Sequence, residues 1–551
     1  MNMLKKIAIA QINSVCGDFQ TNSNKIIDFL QKAEISDCAL AITPEKSLCG
    51  YGLNDTLKKF PYLVNSIPNY IKEIAQKTKL YSLIGYCDVD YNSIYALVYN
   101  GKVLKTISQN SIIEIEGIKY AIILNQSDLS CIKDSDICIY TESYPVGIEN
   151  KQKLDKFLTK ISDEYKKTII HINPVGATDS LSFDGRSIAY NSNKQVIARC
   201  KSFDEDLGII DFNGNNIIHD EIKYANKDCF DLNYEDSELE YIYRTVLQGV
   251  KDYFQKCGIK RAVLGLSGGL DSTVCAVILT DALGKENVFG VSMPSKLTSA
   301  ESKSDAKILA QNLGIGFSEV TIKPMFETTS ECFNTLFGNV EKFWDGRYKQ
   351  SFTPDNIQAR SRAIYLWGIA NEFSSCIPIA TSDKSEAYMG YATINGDMSG
   401  GFAPILDITK TKLFALARWL NKSRKEKNAI PESIILKKPG AELAIDPNTG
   451  KTLNAEDALM PYEFMDEIIW RIEKKQETYS DMLNSEFVYE KQNNISQEQK
   501  KEWINKFFKR MSGALYKATI MPPSIITNYP TNIKPAYFQP ITSGHINYKI
   551  N

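Results

Sequence analysis

At 551 residues the chain is too long for one hydrophobic core, and two domains are the most economical division. Lys plus Arg (64) nearly balances Asp plus Glu (66), with both signs interspersed, so no basic face favours nucleic acid. Twelve Cys without a CxxC pair, beside only three His, argue against zinc and a disulfide framework; no run of about 20 apolar residues suggests a membrane span, and MNMLKKIAIAQINSV shows no cleavage site, so a cytoplasmic protein is expected.

Taken in order, Leu4 to Gln11 is predicted as a strand, Asn22 to Ala33 as a helix and Cys38 to Thr43 as a second strand. Ser82 to Gly85, Ser93 to Tyr99, Tyr120 to Leu124, Ile137 to Tyr140 and Thr168 to Ile172 follow as strand candidates. A last one around Gly208 to Phe212 closes the domain near residue 235. This alternation predicts an α/β layered domain over 1–235. Three pieces, IAIAQINSVCGDFQTNSNKI, AITPEKSLCGYGLND and INPVGATDSLSFDGRSIAYN, resemble the carbon–nitrogen hydrolase (nitrilase-like) amidases, which implies an αββα sandwich.

Amidases of that kind use a Glu base, a Lys that supports the oxyanion and a Cys nucleophile. The resemblance puts the base at Glu45. It puts the Lys position at Gln109 and the nucleophile at Asn125, in the stretch LNQSD. Neither amide supplies a thiolate or a positive charge, so the expectation is an amidase-like domain that no longer hydrolyses glutamine. Cys131, six residues further on, is the one substitute thiol to weigh, and an intact amidase remains the alternative.

Asp236 to Cys257 has Leu239, Ile242, Val246, Leu247, Val250 and Phe254 on one helical stripe and opens the second domain, 236–551. Ala262 to Leu266 reads as a buried strand, and Thr273 to Leu283 is apolar at helical spacing. Between them lies Ser267-Gly268-Gly269-Leu270-Asp271-Ser272. The glycines let the backbone close on an oxyanion, and the helix start offers unpaired amides and a positive dipole end. Ser267, Ser272 and Thr273 are expected to add hydroxyl donors. A carboxylate such as Asp271 beside a polyphosphate calls for a divalent cation between them. The loop resembles the SGGxDS signature of the ATP pyrophosphatases, and it lacks the Gly-Lys-Ser/Thr ending of the Walker loop. A doubly wound parallel sheet with ligands at its carboxyl edge is therefore expected.

Further on, Val288 to Met293 is predicted as a strand, Ser302 to Leu313 as a helix, and Asn356 opens a helix through Phe373. Ile379 to Phe402 then carries Thr381, Lys384, Glu386 and Asp397, a polar set suited to holding Mg²⁺ and a triphosphate. SGGLDST, MPSKLTSAES, NIQAR, TSDKSE, YATINGDMSGGFAPI and IPESIILKKPGAEL together resemble the NAD⁺ synthetase family in its glutamine-dependent, two-domain form. Asp383 departs from the Asn usual there, as does Ala455 from an Asp. Lys517 is kept, although Ala518-Thr519 replaces the basic pair after it.

The resemblance implies ATP at Ser267, Gly268, Gly269, Leu270, Asp271, Ser272, Thr273 and Thr381, and Mg²⁺ on Asp271 and Glu386. It puts nicotinic acid adenine dinucleotide against Asn356, Glu386 and Lys517. The implied reaction is an adenylation, ATP going to AMP and pyrophosphate, followed by amidation with ammonia or glutamine nitrogen. Nicotinic acid mononucleotide is the other acceptor left open. Members with this layout are usually large homo-oligomers. GMP, argininosuccinate and asparagine synthetases share the loop but not the TSDKSE and GDMSGG pair.

Overall fold

The strand Lys6–Gln11 shows how the first half is layered, because its alternate residues enter two different cores. Ile7 and Ile9 join a cluster with Leu40, Leu83, Ile122, Ile139 and Ile170, whereas Ala8 and Ala10 pack with Phe19, Ile26 and Ile74. A strand covered on both faces is apolar throughout, and only its period of two separates the cores. A computed structural model describes residues 6–53, 56–214, 216–223, 230–296, 298–344, 346, 351–424, 428–437, 440–445, 452–454 and 459–528.

One six-stranded sheet runs Asp206–Ile210, Lys6–Gln11, Cys38–Ile42, Tyr81–Cys87, Ser93–Tyr99, Lys102–Ile107 from edge to edge. The second runs Val196–Arg199, Ile188–Tyr190, Thr168–His171, Ile137–Tyr140, Ile118–Ile123, Ser111–Ile115. Helices Phe19–Ile35 and Pro61–Lys77 cover the first sheet, and Ile148–Tyr165 covers the second. This is the expected αββα sandwich. The described residues divide into two compact units, one of residues up to 223 together with 527–528, the other of residues 230–526.

In the second unit four parallel strands stand in the order Gly316–Glu319, Val288–Ser292, Arg261–Gly265, Cys376–Ile379. The chain starts at Arg261–Gly265, winds outward to one side and then returns to the other. Leu264 lies beside Gly290 on one flank and Ile379 on the other. The reversal at Arg261–Gly265 opens a crevice at the carboxyl ends of this strand and Cys376–Ile379, where open α/β sheets take their ligands. The helix Leu270–Leu283 behind the loop is buried almost all round. Asp236–Lys256 buries Leu239, Ile242, Val246, Val250 and Phe254 of the predicted stripe and leaves Leu247 half-buried. Among the described residues no helix is long and apolar enough to cross a membrane.

Candidate active site

The loop after Arg261–Gly265 is tied down by its own hydroxyls. Gly268 sits at φ +76°, and a Cβ there would lie 2.2 Å from the Ser302 carbonyl oxygen, so the backbone geometry demands glycine. Gly269 N–H donates to Ser267 Oγ at 3.1 Å. Ser272 Oγ and Thr273 Oγ1 both donate back to the Gly269 carbonyl, at 3.2 and 2.7 Å. The hydroxyls expected to face a phosphate thus shape the loop, and Thr273 is wholly buried. Gly269 caps the helix Leu270–Leu283 without a side-chain bond, which leaves the first-turn amides to a ligand.

Asp271 stands in that first turn. Asp383 caps the helix Lys384–Met389, accepting Glu386 N–H at 2.8 Å, and Glu386 follows in its first turn. One carboxylate oxygen from each of Asp271, Asp383 and Glu386 lies within 4.8 Å of the others. The two segments follow adjacent strands, so the crevice itself assembles the cluster. Lys410 Nζ stands among them, 2.7 Å from Asp271, 2.7 Å from Asp383 and 3.1 Å from Glu386, and 5.6 Å from the Tyr462 ring.

Burial pushes the Asp383 carboxyl up to about 6, against the lowering effect of Lys410, and burial raises Glu386 well above the usual carboxylate range. Burial also opposes the Lys410 charge, but Asp271, Asp383 and Glu386 outweigh it and hold the ammonium firmly protonated. With Asp383 buried and Asp271 and Glu386 half-buried, three carboxylates converge as hard oxygen donors, a set that fits Mg²⁺.

Other expected residues are placed differently. Lys384 turns into the interior, 2.8 Å from Asp407 and 2.7 Å from Glu473, away from a role as a free cation. Asp397 accepts Thr393 N–H at 2.6 Å and is not among the three clustered carboxylates. Asn356 Oδ1 accepts Thr393 Oγ1 at 2.7 Å, in a helix that begins at Thr353, ahead of the expected start. Thr381 is half-buried just beyond Cys376–Ile379. Lys517 Nζ donates to the Gly390 and Ala392 carbonyls at 2.9 and 2.7 Å. Ala455 lies outside the described residues. The sequence reading missed Lys410 as a member of the site, and Asp383 was visible only as an odd residue in TSDKSE.

In the first unit, Glu45 is buried and accepts three hydrogen bonds. Tyr51 and Ser93 hydroxyls donate to it, and Ser143 N–H joins them at 3.1 Å. Asn125 follows the strand Ile118–Ile123, and its Oδ1 accepts the Ser127 amide at 3.0 Å and the Ser127 hydroxyl. Gln109 is exposed in the bend before Ser111, and its neighbour Asn110 donates to the Asn125 carbonyl at 2.9 Å, so the two positions share one corner. Cys131 sits in the turn Ser130–Ile132, packed against a core with its thiol pushed up by burial, which disfavours the thiolate.

A family model described as NAD synthase matches residues 242–511. The chain is 30% identical to a glutamine-dependent NAD(+) synthetase of Thermotoga maritima, over 84% of this chain and 88% of that protein. It is 31% identical to one of Synechocystis, over 87% and 90%. The fold resembles the glutamine-dependent NAD(+) synthetase of Cytophaga hutchinsonii, with a TM-score of 0.77 at 19% identity over 98% of this chain and 97% of that one. It also resembles that of Acinetobacter baumannii in complex with adenosine diphosphate, with a TM-score of 0.68 at 24% identity over 98% and 99%.

Proposed function

The chain belongs to the family of glutamine-dependent NAD(+) synthetases, which are ligases, and from that premise we propose that it amidates nicotinic acid adenine dinucleotide with free ammonia. Residues 1–235 form the amidase-like module in this reading and 236–551 the synthetase module. The protein works in the cytoplasm as a homo-oligomer, apart from membranes and nucleic acid.

Ser267, Gly268, Gly269, Leu270, Ser272 and Thr273 form the wall that receives the ATP phosphates, with Thr381 on the neighbouring strand end. The first-turn amides of Leu270–Leu283 supply the donors. Asp271 and Glu386 would hold Mg²⁺, which supplies charge neutralisation at the triphosphate. Asn356, Glu386 and Lys517 border the acceptor. Its carboxylate oxygen attacks the α phosphorus and pyrophosphate leaves, giving an acyl adenylate. Ammonia then attacks the carbonyl carbon, the C–O bond to AMP breaks, and one ammonia proton passes to solvent. The chain's own part is to position and to balance charge.

Asn125 carries the choice of nitrogen source. A carboxamide has no nucleophile to form a thioester with, Gln109 cannot stabilise an oxyanion by charge, and Glu45 is left as a base with no thiol at Asn125 to act on. The purified protein given ATP, Mg²⁺ and acceptor should make NAD⁺ with ammonium chloride and not with glutamine. Turnover on glutamine would restore the intact-amidase reading. A parallel assay with nicotinic acid mononucleotide settles the acceptor, which Ala518-Thr519 after Lys517 makes worth testing.

A further inference from the structure

The C-terminal helix Gln497–Ala518 presents Arg510, Ala514 and Lys517 on one face, at i, i+4 and i+7. That face lies on the Gly390–Ala392 segment. A Cβ on Gly390 would meet the Ala514 Cβ at 2.0 Å, Lys517 binds the two carbonyls there, and Arg510 Cζ lies 5.7 Å from the Tyr391 ring centroid.

The two cations are provided for differently. Lys517 has two carbonyl acceptors and the field of Asp397. Arg510 has no ion pair among the described residues, and its Nε is buried without a hydrogen-bond partner. Burial pulls its affinity for the proton down, with only the Tyr391 hydroxyl opposing that, and Lys517 feels Arg510 as a repelling neighbour. A half-buried guanidinium beside a second cation is poorly solvated until an anion arrives. Tyr391, the ring beside Arg510, follows the short helix Lys384–Met389 that carries Glu386 and donates its own N–H to the Glu386 carbonyl, so Arg510 packs on the segment that leads out of the carboxylate cluster.

We propose that Arg510 is a substrate-binding residue, its guanidinium holding an anionic group of the acceptor, a phosphate or the carboxylate to be activated. Resting on the functional reading above, this supplies from inside the helix the positive charge that Ala518-Thr519 does not supply after it. The planar fork matches either oxyanion with two parallel hydrogen bonds.

The test uses the full-length protein with nicotinic acid adenine dinucleotide. Arg510→Ala should raise the acceptor KM roughly ten- to hundredfold, the loss of one charge-assisted contact, and leave the KM for ATP and ammonium within about twofold. Arg510→Lys should fall between, and it carries the test if the alanine variant does not fold. Lys509→Ala, an exposed neighbour, should match wild type. NAD⁺ as a competitor separates the two anions, since it keeps the diphosphate and lacks the carboxylate. Weaker inhibition in Arg510→Ala assigns the diphosphate, and unchanged inhibition beside a raised acceptor KM assigns the carboxylate. Calorimetric binding of the dinucleotide without ATP keeps the two readings apart. Equal affinity in wild type and both variants overturns the role of Arg510 alone, whereas a wild type that binds the dinucleotide yet makes no NAD⁺ from any donor overturns the functional reading alone.

Discussion

Lys410 Nζ lies 2.7 Å from Asp383 Oδ2, with both side chains removed from solvent. The ammonium does for the cluster what a bound cation would do, since Asp271 and Glu386 reach the same nitrogen. Lys410→Met therefore leaves the buried Asp383 without its counter-charge beside two half-buried carboxylates, at about 3–5 kcal/mol of stability. Mg²⁺ should recover part of that loss, because a ligand that binds only the folded state stabilises it. Unfolding followed with and without MgCl₂ checks this, and a variant that gains no more from Mg²⁺ than wild type does would refute the site's affinity for a divalent ion.

Asp383 stands where the family resemblance leads one to expect Asn, and the structure shows what the aspartate does. Either side chain can accept Glu386 N–H, as Asp383 Oδ1 does at 2.8 Å. Only Asp adds charge. Asp383→Asn should fold as well as wild type and keep NAD⁺ formation within about threefold, whereas Asp383→Ala loses the cap and about 1 kcal/mol. An Asn variant as damaged as the Ala variant would show that the charge is indispensable.

The strand, the glycines and the helix start around Asp271 were legible because the chemistry is local: a backbone loop binds through its own amides. Glu386 was legible for the same reason. Lys410 was not, since a lysine opening an amphipathic helix reads as a solvated cation, and only the folding of distant segments around it buries it. Helix Pro61–Lys77 was hidden by Pro61 and Pro68, which argue against a helix until one sees that the first sits in the opening turn. Lys102–Ile107 is an edge strand whose first five residues are exposed, so no apolar alternation marks it. The bonds from the Ser272 and Thr273 hydroxyls to the Gly269 carbonyl were not legible, because residue type does not show when a hydroxyl is bonded to its own loop.

Two glycines test the loop argument against simple backbone strain. Gly258 and Gly268 both lie in the left-handed region, at φ +68° and +76°. A Cβ on Gly258 meets nothing within 4 Å, whereas on Gly268 it meets the Ser302 backbone. Gly258→Ala should cost about 1–2 kcal/mol and leave pyrophosphate release intact. Gly268→Ala should cost more and abolish release, because the loop must move. Equal effects at the two sites would mean that conformation alone, and not the close approach, decides.

Cys131 offers a check on the ammonia reading. Its thiol is held up by burial and by Asp128, so little thiolate forms near neutral pH. Cys131→Ser should leave NAD⁺ formation unchanged with either nitrogen donor. If the wild type used glutamine and the serine variant did not, this cysteine would be the nucleophile.

His171 sets an acid limit on the first unit. It is 1% exposed, lies against Tyr140 and Tyr144, and has its Nε2 3.0 Å from the Glu142 carbonyl oxygen. Burial lowers its pKa from 6.5 to about 4, against the raising effect of that hydrogen bond and helped by Arg186. Between those values the unfolded chain binds the proton and the folded chain does not, so stability rises with pH across the window. The contribution is complete above pH 6.5, declines as the pH falls toward 4, and amounts to about 3 kcal/mol. Carboxylates titrate in the same range, but they do so in wild type and in His171→Gln alike. The difference in unfolding free energy between the two proteins should therefore change with pH between 6.5 and 4 and level off outside that window. Parallel profiles would show that the imidazole is protonated in the fold or reached by water.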